Sequence, residues 1–161
     1  MAEWQGQPAP DAVLTRIGQV VMLHHAGDRE EARDRLLVLW GELGEHGDAL
    51  HRCTLAHYLA DTHDDPADEL AWDLRALSAA EELTVTSAAD LPARIAAHAL
   101  TPSLHLNLAA DYAKLGRPEA ARSHLSRARR AAGSLAHDGY GYGDGVRAEI
   151  RRLETTLGER P

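Results

Sequence analysis

Apolar residues recur along most of this chain at intervals of three and four, the spacing that places side chains on one face of an α-helix. From Asp11 onward, Val13, Leu14, Ile17, Val20, Val21 and Leu23 form one broad stripe. Ala26-Gly27-Asp28 interrupts it, with Gly27 suited to a left-handed C-terminal position and Asp28 to an N-cap. A second stripe of Ala32, Leu36, Leu39 and Leu43 runs to the turn Gly44-Glu45-His46-Gly47. The spacing predicts a third helix from Asp48 through Leu50, Leu55, Tyr58 and Leu59 toward His63. After Asp64-Asp65-Pro66 a fourth follows through Leu70, Leu74 and Leu77, with Pro66 at a first helical position.

The pattern weakens between Leu83 and Thr101. Thr84-Val85-Thr86 is β-branched and Leu91-Pro92 interrupts, so a separate short helix is predicted near 92–100. Thr101-Pro102 then opens a helix to Leu115, Gly116-Arg117-Pro118 breaks it, and another runs from Pro118 to about Ala132. The stretch Gly139 to Gly145 holds four Gly in seven residues, each costing a helix about 1 kcal/mol, and reads as a loop. Val146, Ile150, Leu153 and Leu157 mark a last amphipathic helix. No alternating apolar run competes with these helices, so the expected fold class is all-α.

The chain also repeats itself. Gly27-Asp28-Arg29-Glu30-Glu31-Ala32-Arg33-Asp34-Arg35-Leu36 superposes without a gap on Gly116-Arg117-Pro118-Glu119-Ala120-Ala121-Arg122-Ser123-His124-Leu125. His105-Leu106-Asn107-Leu108-Ala109-Ala110-Asp111-Tyr112, then Gly116, Ala121 and Leu125, resembles the tetratricopeptide pattern of a large residue, Leu-small, Tyr, Gly and Ala-x3-aromatic. His105 stands for the usual Trp, Ala109 for the small Gly, Leu125 for the aromatic and Gly133 for the closing Pro. A looser middle copy places Leu55-Ala56, Leu59, the His63 turn and Trp72 at the corresponding positions, with Asp68 where a small Ala is usual. The resemblance covers roughly 11–135. It implies an α-α superhelix of about three hairpins at 11–43, 48–83 and 102–135, with an insertion at 84–101 and a capping helix at 144–157. Together these make one domain, 11–161, behind a flexible segment 1–10. Each hairpin is apolar on both sides of the helix pair and gains stability by stacking on its neighbours.

Composition narrows the function. A length of 161 residues suits one domain, and 44% hydrophobic with 26% charged residues is that of an ordinary globular chain. The net charge of −8 speaks against nucleic acid or an anionic membrane as partner. No run approaches the roughly 20 apolar residues that cross a bilayer, and the opening residues do not form a secretion signal. A single Cys, Cys53, forms no internal disulfide and points to the cytoplasm. Abundant Ala and Arg with Lys114 as the sole Lys resembles a high-GC bacterial source such as an actinomycete. From Asp61 to Glu82 eight acids face Arg75 alone, a local charge of −7, whereas Arg117, Arg122, Arg127, Arg129 and Arg130 make the helix after Gly116 basic. Those two segments, 61–82 and 117–130, are candidate contacts for a homo-oligomer.

Ten His residues raise the question of a metal. Cys53, His57 and Asp61 share one helical face at i, i+4 and i+8, but that spreads them over about 12 Å, too far for one ion. Cys53 and His57 are therefore weak metal candidates, and the expectation is no cofactor. Cys53 beside His57 also lacks the orienting group and oxyanion donors that a catalytic thiolate needs, so no catalytic residue and no enzyme is expected.

In tetratricopeptide proteins the first helix of each hairpin lines a groove that takes a peptide. The resemblance places Leu14, Ile17, Val21 and His24, then Cys53, Thr54, His57 and Asp61, then Leu106, Asn107, Ala110 and Lys114 on that groove. Asn107 coincides with an Asn that holds a ligand's main chain in peptide-binding members, and Lys114 as the only base disfavours a clamp for a terminal carboxylate. The expected function is a non-catalytic, protein- or peptide-binding module. The alternative is a small-molecule- or metal-responsive accessory protein of a bacterial pathway. A groove filled by residues 1–10, carrying Trp4, is the competing explanation for an apolar groove.

Overall fold

The structure, a computed structural model, describes residues 12–85, 91–137 and 144–158. The expected segment 1–10 and most of the Gly-rich loop lie outside them. Seven helices follow one another: α1 (Ala12–His25), α2 (Arg29–Leu43), α3 (Ala49–Asp61), α4 (Pro66–Val85), α5 (Leu91–Lys114), α6 (Pro118–His137) and α7 (Asp144–Gly158). No strand occurs among the described residues, so the fold is all-α, as the periodicity predicts.

Helix ends follow local chemistry. Gly27 and Gly116 take positive φ, 102° and 72°, at the two turns that the sequence repeat superposes; a side chain there costs about 1 kcal/mol or more. Asp48 caps α3 by accepting from His51 N at 3.0 Å. Asp28 occupies the N-cap of α2, but its side chain makes no capping bond. Pro66 and Pro118 begin α4 and α6, where a missing N–H costs nothing.

One expectation is corrected. The short helix near 92–100 and the helix opening at Thr101-Pro102 are a single element, α5, with Pro102 in its interior. Pro in a helix forfeits a hydrogen bond and about 3 kcal/mol of propensity, which favours a break there on local grounds. Burial outweighs it. Leu104, with Leu100 beside it, packs with Ala76, Ala79 and Ala80 of α4, and Ala97 and Pro102 are themselves fully buried.

Packing then fixes the architecture. Consecutive helices pair as α1·α2, α3·α4 and α5·α6, and α7 covers both α5 and α6. Across hairpins, α1 touches α3 and α3 touches α5, whereas among the described residues the backbones of α2 and α4, and of α4 and α6, stay apart, α2 and α4 meeting through the Trp40 and Trp72 side chains. The odd helices therefore form a continuous inner layer and the even helices splay outward, which is the curvature of a helical-repeat superhelix. Three core clusters run along the stack. Ile17, Leu36, Leu55 and Leu59 join the first two hairpins. Cys53, Ala56, Ala76, Ala79, Ala80 and Leu104 join the second to the third. Leu106, Ala121, Leu125, Ile150, Leu153 and Leu157 seal the third hairpin under α7.

The repeated arginines explain part of the stacking. Arg33 of α2 donates from Nε and Nη2 to the carbonyl of Thr62, at 3.1 and 2.6 Å. Its repeat-equivalent Arg122 of α6 donates to the carbonyl of Leu157 at 2.9 Å. Each satisfies an orphan carbonyl at the C-terminus of the next hairpin's first helix or of its stand-in, the cap.

Candidate functional site

The twelve residues predicted for the inner face separate by burial. Ile17, Cys53 and Leu106 are core: Cys53 is fully enclosed among alanines, and burial pushes its thiol up to about 11. Their apolar or small side chains point between helices because α2, α4 and α6 or α7 close over them, so these three are removed from the accessible set. Leu14 and Val21 are half-buried against the first cluster. His24 is half-buried with an unpartnered Nδ1. Thr54 is half-buried and returns its hydroxyl to the Leu50 carbonyl at 2.9 Å. Ala110 packs partly against the third cluster. His57, Asp61, Asn107 and Lys114 lie in the α3–α5 region described next, and Asp61 and Lys114 are exposed.

A polar seam runs where α3, α4 and α5 meet. Asn107 Nδ2 donates to His57 Nδ1 at 3.3 Å, which leaves the ring proton on Nε2. Burial lowers the pKa of His57 against the opposing pull of the Asp61 charge, so the imidazole is neutral at neutral pH. Lys114 Nζ bridges both carboxylate oxygens of Glu69 at 3.1 Å. Between these contacts lie Asp73 of α4 and Asp111 of α5, with only 2% and 1% of their surfaces exposed.

Two carboxyls side by side in a buried seam resist ionisation, first because charge is desolvated there and then because like charges repel. Burial raises Asp73 to about 9, reinforced by its hydrogen bond with Asp111 and by the charges of Asp111, Asp61 and Glu69. Asp111 is raised to about 7, again chiefly by burial, while its bond with Asp73 and the Lys114 charge pull the other way. Among the described residues, no N–H or O–H donates to Asp73 Oδ1 or Asp111 Oδ2. Neither acid is among the residues that the repeat pattern places on the inner face. Its signal is the placement of each acid on an apolar stripe: Asp73 falls between Leu70 and Leu77, and Asp111 three residues after Leu108.

Much of the strong local charge is used within the chain. Arg29 pairs with Asp64 at 2.5 Å, Arg52 with Glu82 at 2.8 Å and Lys114 with Glu69. On the basic helix α6, Arg129 pairs with Glu154 of α7, while Arg122 is spent on Leu157. His105, at the position of the usual Trp, is buried and stacks on His124, whose ring also stacks on Tyr112. Burial, with the His124 and Arg127 charges, lowers His105 to about 4, so this is a neutral aromatic filler. A concavity of about 320 Å³ opens between α1 and α2, lined by Val20, Val38 and Leu39 with Arg16 and Asp34; none of its walls comes from α3 or α5. Among the described residues no three side chains of ligand type converge on a metal position, and no helix is long and apolar enough to cross a membrane.

A tetratricopeptide repeat family model matches residues 13–37 and 102–127. Those stretches run from α1 into α2 and from Pro102 of α5 into α6, the two hairpins that superpose in sequence. No curated protein and no solved structure matches the chain significantly.

Proposed function

We propose that this chain, a tetratricopeptide-like helical repeat protein, is a non-catalytic module that holds a peptide or protein partner against the inner layer of α1, α3 and α5. Repeats of this family generally mediate protein–protein interaction. The observation that carries the reading is that α1 contacts α3 and α3 contacts α5, while the backbones of α2, α4 and α6 stay apart from one another. It supports a concave face whose accessible side chains are Leu14, Val21, His24, Thr54, His57, Asp61, Asn107, Ala110 and Lys114. Asn107 brings a side-chain amide to that face, already oriented by His57. The face is apolar toward α1 and polar toward α5, so the partner we infer combines apolar side chains with a main chain that can meet Asn107.

A catalytic Cys53 thiolate has no support in this geometry, since the thiol is buried and held protonated. A metal-responsive role loses its thiolate ligand for the same reason. Self-association through 61–82 and 117–130 has fewer charges to draw on than the sequence offers, because Asp64, Glu69, Glu82 and Arg129 are already paired within the chain.

A photo-cross-linking residue placed at Asp61 or Lys114 tests the reading against one at Ser78, exposed on α4 of the outer layer. One partner trapped from both inner positions and lost on Asn107→Ala is the expected result. Equal trapping from Ser78 sinks it.

A further inference from the structure

We propose that the Asp73–Asp111 pair is a proton-held latch between the second and third hairpins, and that its ionisation loosens the α3–α5 part of the inner layer. The geometry is that of two carboxyls, one from each of two helices packed on each other, buried almost completely at the α4–α5 seam and close enough to act on each other's ionisation. Each has an oxygen that no donor among the described residues reaches. A shared proton satisfies that arrangement, with one carboxyl donating and the other accepting. Loss of the proton to water leaves two buried anions in contact, an arrangement that costs more than either charge alone.

Among the described residues, the surroundings offer no replacement for the proton. From α3, Asp61 adds negative charge, and on α4 Glu69 adds more. Lys114 of α5 acts on Asp111, but its ammonium is held by both oxygens of Glu69. His57 of α3 faces Asp61 and stays neutral because burial lowers it. The shifts of the two acids place the loss of the proton from neutral pH upward.

The consequence reaches the inner layer through one helical turn. Asn107 precedes Asp111 by four residues on α5, so both lie on one side of that helix, and Asn107 holds His57 across to α3. A seam that opens at Asp111 shifts Asn107 against His57. This second half of the inference rests on the inner layer being the binding face; the latch itself does not.

The sign follows from the direction of the shifts. Both acids are raised above their unfolded values, so the stability they confer is full in acid and is lost as pH rises through about 7 and then about 9. The test uses the full chain, with carbon-13 spectra of the aspartate carboxyls assigned by Asp73→Asn and Asp111→Asn. Unfolding equilibria are measured in parallel from pH 6 to 9 for wild type and the double variant.

The expected result is one carboxyl of the pair titrating at least three pH units above ordinary aspartates. Between pH 7 and 9 the unfolding constant of wild type should rise about tenfold per pH unit relative to the double variant, the effect of one retained proton. The His57 ring and Asn107 amide signals should move with the same midpoint in wild type alone. Both acids titrating below pH 5, or parallel stability profiles, overturn the latch. A high titration that leaves His57 and Asn107 unmoved overturns its link to the inner layer. Should the double variant not fold, the wild-type carboxyl titration decides alone. Failure of the cross-linking above would remove the binding reading and leave this titration standing.

Discussion

Leu36, Leu55 and Leu59 close the joint between the first and second hairpins, whereas Ala76, Ala79, Ala80 and the Asp73–Asp111 pair close the joint between the second and third. The first joint is filled by large apolar side chains, with the edge-to-face contact of Trp40 and Trp72 at 5.0 Å beside it. The second relies on small residues that let α4 and α5 approach closely, and it buries polar groups within that approach. The same repeat position shows the contrast. Arg33 in α2 and Arg122 in α6 donate to carbonyls at the end of the helix they stack on. Their counterpart in the middle hairpin is Glu69, which instead accepts from Lys114 at the end of α5. The opposite charge at this position goes with an ion pair in place of a main-chain tie, and the family model matches the two hairpins that carry the arginine. The lesson is that one stacking geometry tolerates two chemistries, of which the apolar one depends on volume and the polar one on a proton.

The largest effect should come from the apolar joint. Leu59→Ala removes a fully buried side chain and should cost about 2–5 kcal/mol, equally at pH 6 and 8, in chemical denaturation. A loss that changes with pH would break the contrast between the joints. Next in size, Ala76→Leu forces extra volume into the second joint and should cost about 1–3 kcal/mol. A neutral outcome there would mean that α4 and α5 do not need their close approach. Smallest are the ties at the shared repeat position. Arg33→Ala should lower stability by about 1–2 kcal/mol, since it strands the Thr62 carbonyl in a half-buried setting. Lys114→Ala should cost less than about 1 kcal/mol, because the Lys114–Glu69 pair is largely open to solvent on the lysine side. Thermal melts of the two variants side by side measure that difference, and equal losses would show the reversed tie to be as strong as the original.

Legibility from sequence follows the range of the physics. The hairpins were readable because a helical stripe and a turn glycine are local: the positive φ at Gly27 and Gly116 sits where the repeat aligns them. Burial was less readable. Ile17, Cys53 and Leu106 share helical faces with accessible neighbours, and which side a part-apolar face presents depends on the helix that closes over it. Asp73 and Asp111 were missed because they are 38 residues apart in sequence, and only the stacking of α5 on α4 makes them a pair.

What the amino-acid sequence by itself determined is therefore the succession of helices, the break residues and the repeat, since each is set by contacts within a few residues. Tertiary structure decided that α5 runs through Pro102, that Cys53 lies in the core, and that two acids share one seam. For Pro102 and the two acids a local free-energy cost is offset by surface buried against another helix, for Cys53 the covering helices decide, and no local pattern encodes which helix that will be.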